Sequence, residues 1–178
     1  MKEHLSTNEA AIAYLVEKLP GRLLKTQIVK LLFLADIEYW KQTGKQLTTF
    51  EYKFDHFGPY DQKNFDEAVG ELQKANYLKE TKVSKSTGGY YFLYDKGKDD
   101  FQKQSSEKIG SLGRAILDEI TSQYGNVTLQ SLLSIVYKHP LVTESERGQK
   151  LNFNDIPALR AMKDDLNADA GNTDTARA

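Results

Sequence analysis

The chain has 178 residues and no cysteine, which excludes disulfides, zinc ribbons, thiol nucleophiles and iron–sulfur clusters while leaving ample length for one domain with its own core. Its net charge of −1 means that any basic surface for nucleic acid must be local. No apolar run approaches the ~20 residues that span a bilayer, and MKEHLSTNEA holds no stretch suited to a secretion signal, so no membrane partner is expected and the expected location is cytoplasmic.

TNEAAIAYLVEKL reads as a helix, with Ile12, Leu15, Val16 and Leu19 in one apolar stripe. Thr7 or Asn8 is the expected N-cap, and Pro20-Gly21 the stop. KTQIVKLLFLADIEYWKQTG is apolar on nearly every side: Ile28, Leu31, Leu32, Ala35 and Tyr39 form one stripe, and Val29, Phe33, Ile37 and Trp40 another. Such a helix is packed from several directions, which predicts it at the centre of the core, with Gly44 as its stop. EYKFDHF alternates with period two and predicts a half-buried strand. Gly58-Pro59 breaks it, Asp61 caps a helix over Gln62 to Asn76, and Phe65, Ala68, Val69 and Leu72 form that helix's inner face.

YLKETKVSKSTGGYYFLY predicts two strands around a loop with Gly88-Gly89. SEKIGSLGRAILDEITSQYG predicts a helix, TLQSLLSIVYKHP a second one capped by Thr128, and NDIPALRAMKDDL a short third one with Pro157 in its first turn. A helix followed by a hairpin, with the earlier strand completing the sheet, is the plan of a winged helix. The expected fold is therefore α+β and mostly helical: a helical bundle carrying a small antiparallel winged-helix-like sheet. The expected divisions are a domain over 1–142, a partly helical extension over 143–166 and a disordered tail over 167–178.

Catalytic and metal chemistry find little support. His56 and Asp55 are neighbours on the expected strand, so they point to opposite faces, and His4 and His139 have no ligand-like spacing. His56 is read as a half-buried structural histidine. GSLGR at 110–114 lies inside a helical pattern and is read as helix rather than as an RNA-binding loop. No catalytic residue, metal ligand or cofactor is assigned, and the chain is not expected to be an enzyme. Lys82 and Lys85, beside the helix–hairpin junction, are the candidates for phosphate contact if the chain is a winged-helix DNA-binding regulator. The competing reading is a protein interface: Tyr90, Tyr91 and Tyr94 crowd one hairpin, and tyrosine is among the commonest interface anchors. Tyr91 and its outward neighbours are the first choice.

The stretch KLLFLADIEYWKQTGKQLTTFEYKFDHFGPYDQKNFDEAVGELQKANYL resembles the core of the Panacea domain, the SocA-like antitoxin family. The matching residues are Lys30, Leu31, Leu32, Phe33, Ala35, Asp36, Gly44, Tyr52, Phe57, Gly58, Pro59, Leu72 and Asn76. The later ILDEITSQYGNVTLQSLLSIVYKHPLV resembles that family's closing helix pair, so the likeness covers roughly 8–142. It implies an antitoxin found with phages and mobile elements, which neutralises a cognate toxin protein by direct contact or acts as a proteolytic adaptor that delivers it to a protease. It implies no catalytic residues. It also implies that Gly58-Pro59 is architecture, a strand-to-helix turn, flanked by the cap Asp61 and the outward Asp55.

Overall fold

The computed structural model describes residues 4–56 and 58–155. In chain order the elements are α1 (Thr7–Lys18), β1 (Leu23–Leu24), α2 (Lys25–Thr43), β2 (Lys53–Asp55), β3 (Gly58–Tyr60), α3 (Gln62–Lys74), β4 (Leu78–Ser84), β5 (Tyr90–Lys96), α4 (Gln102–Tyr124), α5 (Leu129–Tyr137) and α6 (Pro140–Thr143), followed by a 3-10 turn at Phe153–Asp155. The architecture is α+β, with six helices among the described residues around two small antiparallel sheets.

Helix α2 forms the centre, as its pattern predicts: every residue from Ile28 to Ile37 is buried. Gly44 ends it in the left-handed conformation, and its N–H donates to the Trp40 carbonyl. Helices α1 and α4 pack against each other and against α2. The cap of α1 is Ser6, not Thr7 or Asn8. Its hydroxyl accepts from the Glu9 N–H at 3.2 Å, while the Glu9 carboxylate accepts from the Ser6 N–H at 3.1 Å, a reciprocal pair that satisfies two free donors. Asn8 instead faces inward and accepts from the Thr49 N–H at 2.8 Å. In α4 the backbone leaves helical geometry at Gly110, at φ 70° and ψ 177°, so the helical reading of GSLGR holds only after that residue.

The larger sheet has the expected small antiparallel, winged-helix-like form, but a different strand completes it. Its order is β1-β5-β4, and its third strand is Leu23–Leu24 rather than the stretch around Tyr52. That stretch folds back on itself. β2 pairs with β3 through Lys53↔Tyr60, Phe54↔Pro59 and Asp55↔Gly58. Gly58-Pro59 is thus the start of a returning strand, and only Tyr60 and Asp61 lead into α3. Period-two alternation is the same for one long strand and for two short paired ones, so it could not reveal the reversal. His56 sits in the turn and is exposed; the chain reverses before it can reach the core, which corrects the half-buried reading. Asp61 does cap α3, accepting from the Asn64 N–H at 3.3 Å.

The segment after Val142 returns along the free edge of β2. Phe54 N–H donates to Gln149 at 2.9 Å, Leu151 N–H donates to Tyr52 at 2.7 Å, and Leu151 and Phe153 are buried in the same core. The chain past 142 is thus built into the domain through Phe153. Phe57, most of the helix expected over 154–166 and the tail at 167–178 lie outside the described residues.

Gly58 has φ 81°, and a Cβ there would lie 3.3 Å from Tyr137 Cε1 and 3.4 Å from Lys30 Nζ. Gly44 has a comparable φ of 68° but open space around it. Gly58→Ala should therefore cost about 1–3 kcal/mol for the backbone alone plus displaced neighbours, and more than Gly44→Ala. Urea unfolding of both variants checks this; equal losses would show that the close approach to Lys30 and Tyr137 carries no weight.

Candidate functional site

Two ionisable side chains of α2 lie in the interior. Asp36 is 0% exposed. Its carboxylate accepts from the Thr48 N–H at 2.7 Å, the Thr48 hydroxyl at 2.6 Å and the Tyr52 hydroxyl at 2.7 Å. Burial pushes the carboxyl up, and the bonds from Thr48 and Tyr52 oppose that. The Tyr52 hydroxyl is in turn raised by burial and by the adjacent Asp36. Lys30, 1% exposed, donates from Nζ to the Pro59 carbonyl at 2.8 Å. Burial lowers its pKa to about 7, against the opposing pull of Asp55. The expected motif residues Lys30, Asp36, Tyr52, Gly58 and Pro59 thus meet in two buried clasps that hold residues 48–60 on α2, while Gly44 ends that helix.

These clasps have a measurable signature. An unfolded lysine holds its proton to about 10.5, whereas folded Lys30 releases it near 7. Between those values the unfolded chain binds more protons, so this residue makes stability rise with pH. Its contribution should approach about 1.4 kcal/mol per pH unit from about pH 7.5 to 9.5, below the range where tyrosines and ordinary lysines titrate. Lys30→Met removes that slope. Urea unfolding of both proteins across the window checks it, and parallel curves would show that Lys30 does not titrate there.

No group of three or more His, Asp or Glu side chains among the described residues is placed to hold a metal ion. His4 and His56 are exposed. His139 caps α6, accepting at Nδ1 from the Leu141 N–H at 3.2 Å, and its ring meets Phe33 edge-on. Burial and then Lys41 lower its pKa.

The β4–β5 hairpin grades from wet to dry. Tyr90 is 54% exposed, Tyr91, Phe92 and Leu93 are half-buried, and Tyr94 is 1% exposed. Tyr94, expected at the partner surface, is therefore a core residue: β1 and α1 cover the base of the hairpin, and only the tip projects. Lys82 holds its ammonium 3.7 Å above the Tyr90 ring, and Tyr90 stacks edge-on against Phe92 at 5.3 Å. Lys85 is exposed at the turn.

Beneath the tip runs an open groove of about 880 Å³, bounded by Tyr90–Leu93, by Arg22 and the start of α2, and by Leu129 and Leu133 of α5. A second cavity of about 350 Å³ shares Lys25, Thr26 and Phe92 with it and ends at Lys30 and Gly58. Tyr90, Tyr91 and Lys85 are the expected residues that reach the groove. Leu24, Lys25, Leu129 and Leu133 were missed. The one available signal was the pair Leu129 and Leu133, spaced to share one side of a helix while Leu132 and Val136 take the core.

Among known families, the model described as antitoxin SocA-like, Panacea domain, matches residues 28–141, well over half of the chain. Searches of curated proteins and of solved structures returned no match. The matched span runs from the fourth residue of α2 into α6 and so contains both clasps, the hairpin and α5. On that match, the chain belongs to the SocA-like antitoxin family with a Panacea domain.

Proposed function

We propose that this domain is an antitoxin-type interaction module that binds a cognate toxin directly, through the tip of the β4–β5 hairpin and the groove beneath it. The observation that carries the reading is the hairpin tip: Tyr90 is the one large hydrophobic side chain that is exposed among the described residues, and it stands over an open groove with Tyr91 at its wall. Aromatic side chains beside a groove supply contact area at low entropic cost, and a few such anchors carry most of an interface's affinity. Membership of an antitoxin-like family supports the same role. The bound toxin would be either occluded or escorted to a protease. Nothing in the reading calls for a catalytic step, and no described helix is long and apolar enough to cross a membrane.

Charge weighs against the DNA-binding alternative. The outward side of α3 mixes Lys63 and Lys74 with Asp66, Glu67 and Glu71, and Glu71 pairs with Lys74 at 2.7 Å. Lys82 is engaged by Tyr90, which leaves Lys85 as the freer candidate for a phosphate.

The test starts from a toxic reading frame beside this gene. Co-expression should restore growth, and calorimetry should give a complex that Tyr91→Ala weakens by about 2 kcal/mol, roughly 30-fold, with little change in Tm. A toxin that this chain leaves active would overturn the antitoxin reading. Unchanged affinity in the variant would move the interface elsewhere. The toxin's half-life in cells, with and without this chain, separates occlusion from delivery to a protease.

A further inference from the structure

The groove beneath the hairpin offers a partner side chains rather than backbone. The register Leu23↔Tyr94, Leu24↔Leu93 carries on one residue into α2 and sets the Lys25 N–H on the Phe92 carbonyl. The outer edge of β5 is thus taken up as far as Phe92, which leaves too little main chain to hold an added strand. A partner entering in extended form would bury part of its own backbone without acceptors or donors, a cost that a helix avoids by closing those bonds within itself. One wall of the groove has the form that suits a helix. Leu129 and Leu133 stand one turn apart on α5 and are both half-buried, while Leu132 and Val136 of the same helix take the core.

Charge selects among such helices. The charged lining of the groove is Arg22, Lys25 and Lys85 without any carboxylate, a local bias in a chain whose net charge is −1. Asp95 and Asp66, which pair with Arg22 and Lys25, do not line it. The Arg22 pair is long, at 4.0 Å, and exposed on both sides, so it leaves most of the guanidinium's attraction for another anion. Helix α2 also begins here, with no side-chain cap and no acid in its first turn. The Lys25 N–H is spent on Phe92, but those of Thr26 and Gln27 have no acceptor within the helix and carry the positive end of its dipole.

We propose that the groove holds one face of an acidic amphipathic helix of a partner protein. The apolar stripe of that helix, at i, i+4 and i+7, enters between Leu129 and Leu133 on one side and Leu24 and Tyr91 on the other. Its flanking Asp or Glu side chains meet Arg22 and Lys85, and Tyr90 packs along it at the hairpin tip. The open space of about 880 Å³ is roughly the volume of two turns of helix, so the groove grips a short stretch while the charged outer face stays in water. The proposal names the partner chemistry for the protein-partner reading above and rests on it.

The probe is a phage-displayed library of short alanine-rich helical peptides, randomised along one face and its flanks and selected against the full chain. The expected binders carry apolar residues at helical spacing with Asp or Glu beside them. Arg22→Glu with Lys85→Glu weakens them at least tenfold, as does Leu133→Gln, whereas Lys63→Glu with Lys74→Glu, on the outward side of α3, does not. Arg22 and Lys85 are exposed, so the first pair of changes leaves Tm nearly unaltered and stays readable even if Leu133→Gln fails to fold. A proline at the centre of a binding peptide abolishes binding, and one in its first turn does not. A library without binders, binders without acidic residues, binders indifferent to Arg22→Glu with Lys85→Glu, or binders that tolerate the central proline would each overturn the acidic helix. A toxin neutralised equally well by the Arg22→Glu, Lys85→Glu chain would sink this binding mode while leaving the antitoxin role intact. A toxin that the unaltered chain leaves active would overturn that role itself.

Discussion

The rest of the structure hangs on two side chains that cannot reach water. Lys30 and Asp36 lie six residues apart on a helix that is buried all round, and burying either without a partner would cost several kcal/mol. They do not neutralise each other. Each takes its partners from the segment that follows: Asp36 from Thr48 and Tyr52, and Lys30 from the Pro59 carbonyl. This demand forces residues 48–60 onto α2 and requires the main chain to approach Lys30 closely, which glycine at 58 permits. The segment Gly148–Leu151 then closes the outer edge of β2, so one polar requirement organises the chain from α2 to Phe153.

The same arrangement consumes the strand expected to complete the larger sheet. With residues 53–60 paired to each other, β5 is left with the two-residue β1 as its only outer neighbour among the described residues. Two residues cover the base of the hairpin and leave the tip half open.

In the proposed reading, the hairpin tip and its groove serve as the interaction surface of an antitoxin-like domain. A well-ordered base, with Tyr94 in the core, supports a tip on which Tyr90 and Tyr91 are reachable. The cavity that ends at Lys30 adjoins the groove through Lys25, Thr26 and Phe92. Occupants of the groove would thus sit one cavity away from the lysine whose proton is released near neutral pH.

The sequence by itself determined the central helix, its glycine stop, the amphipathic α3 with its Asp61 cap, the β4–β5 pairing and the family motif. Each is written in local chemistry: periodicity, a capping side chain, or a glycine where the chain must turn. The sequence left His56, Tyr94 and Gly58-Pro59 ambiguous, because alternation says which residues share a face and not what covers it. Tertiary structure decided that Tyr94 is core and Tyr90 surface, although both lie on one face of one strand, since β1 reaches only as far as Leu24. It also decided that the third strand of the sheet is Leu23–Leu24, a pair too short to carry any periodic signal. The groove, assembled from α2, β5 and α5, has no counterpart in any contiguous stretch: its walls come together only when long-range packing on α2 brings them there.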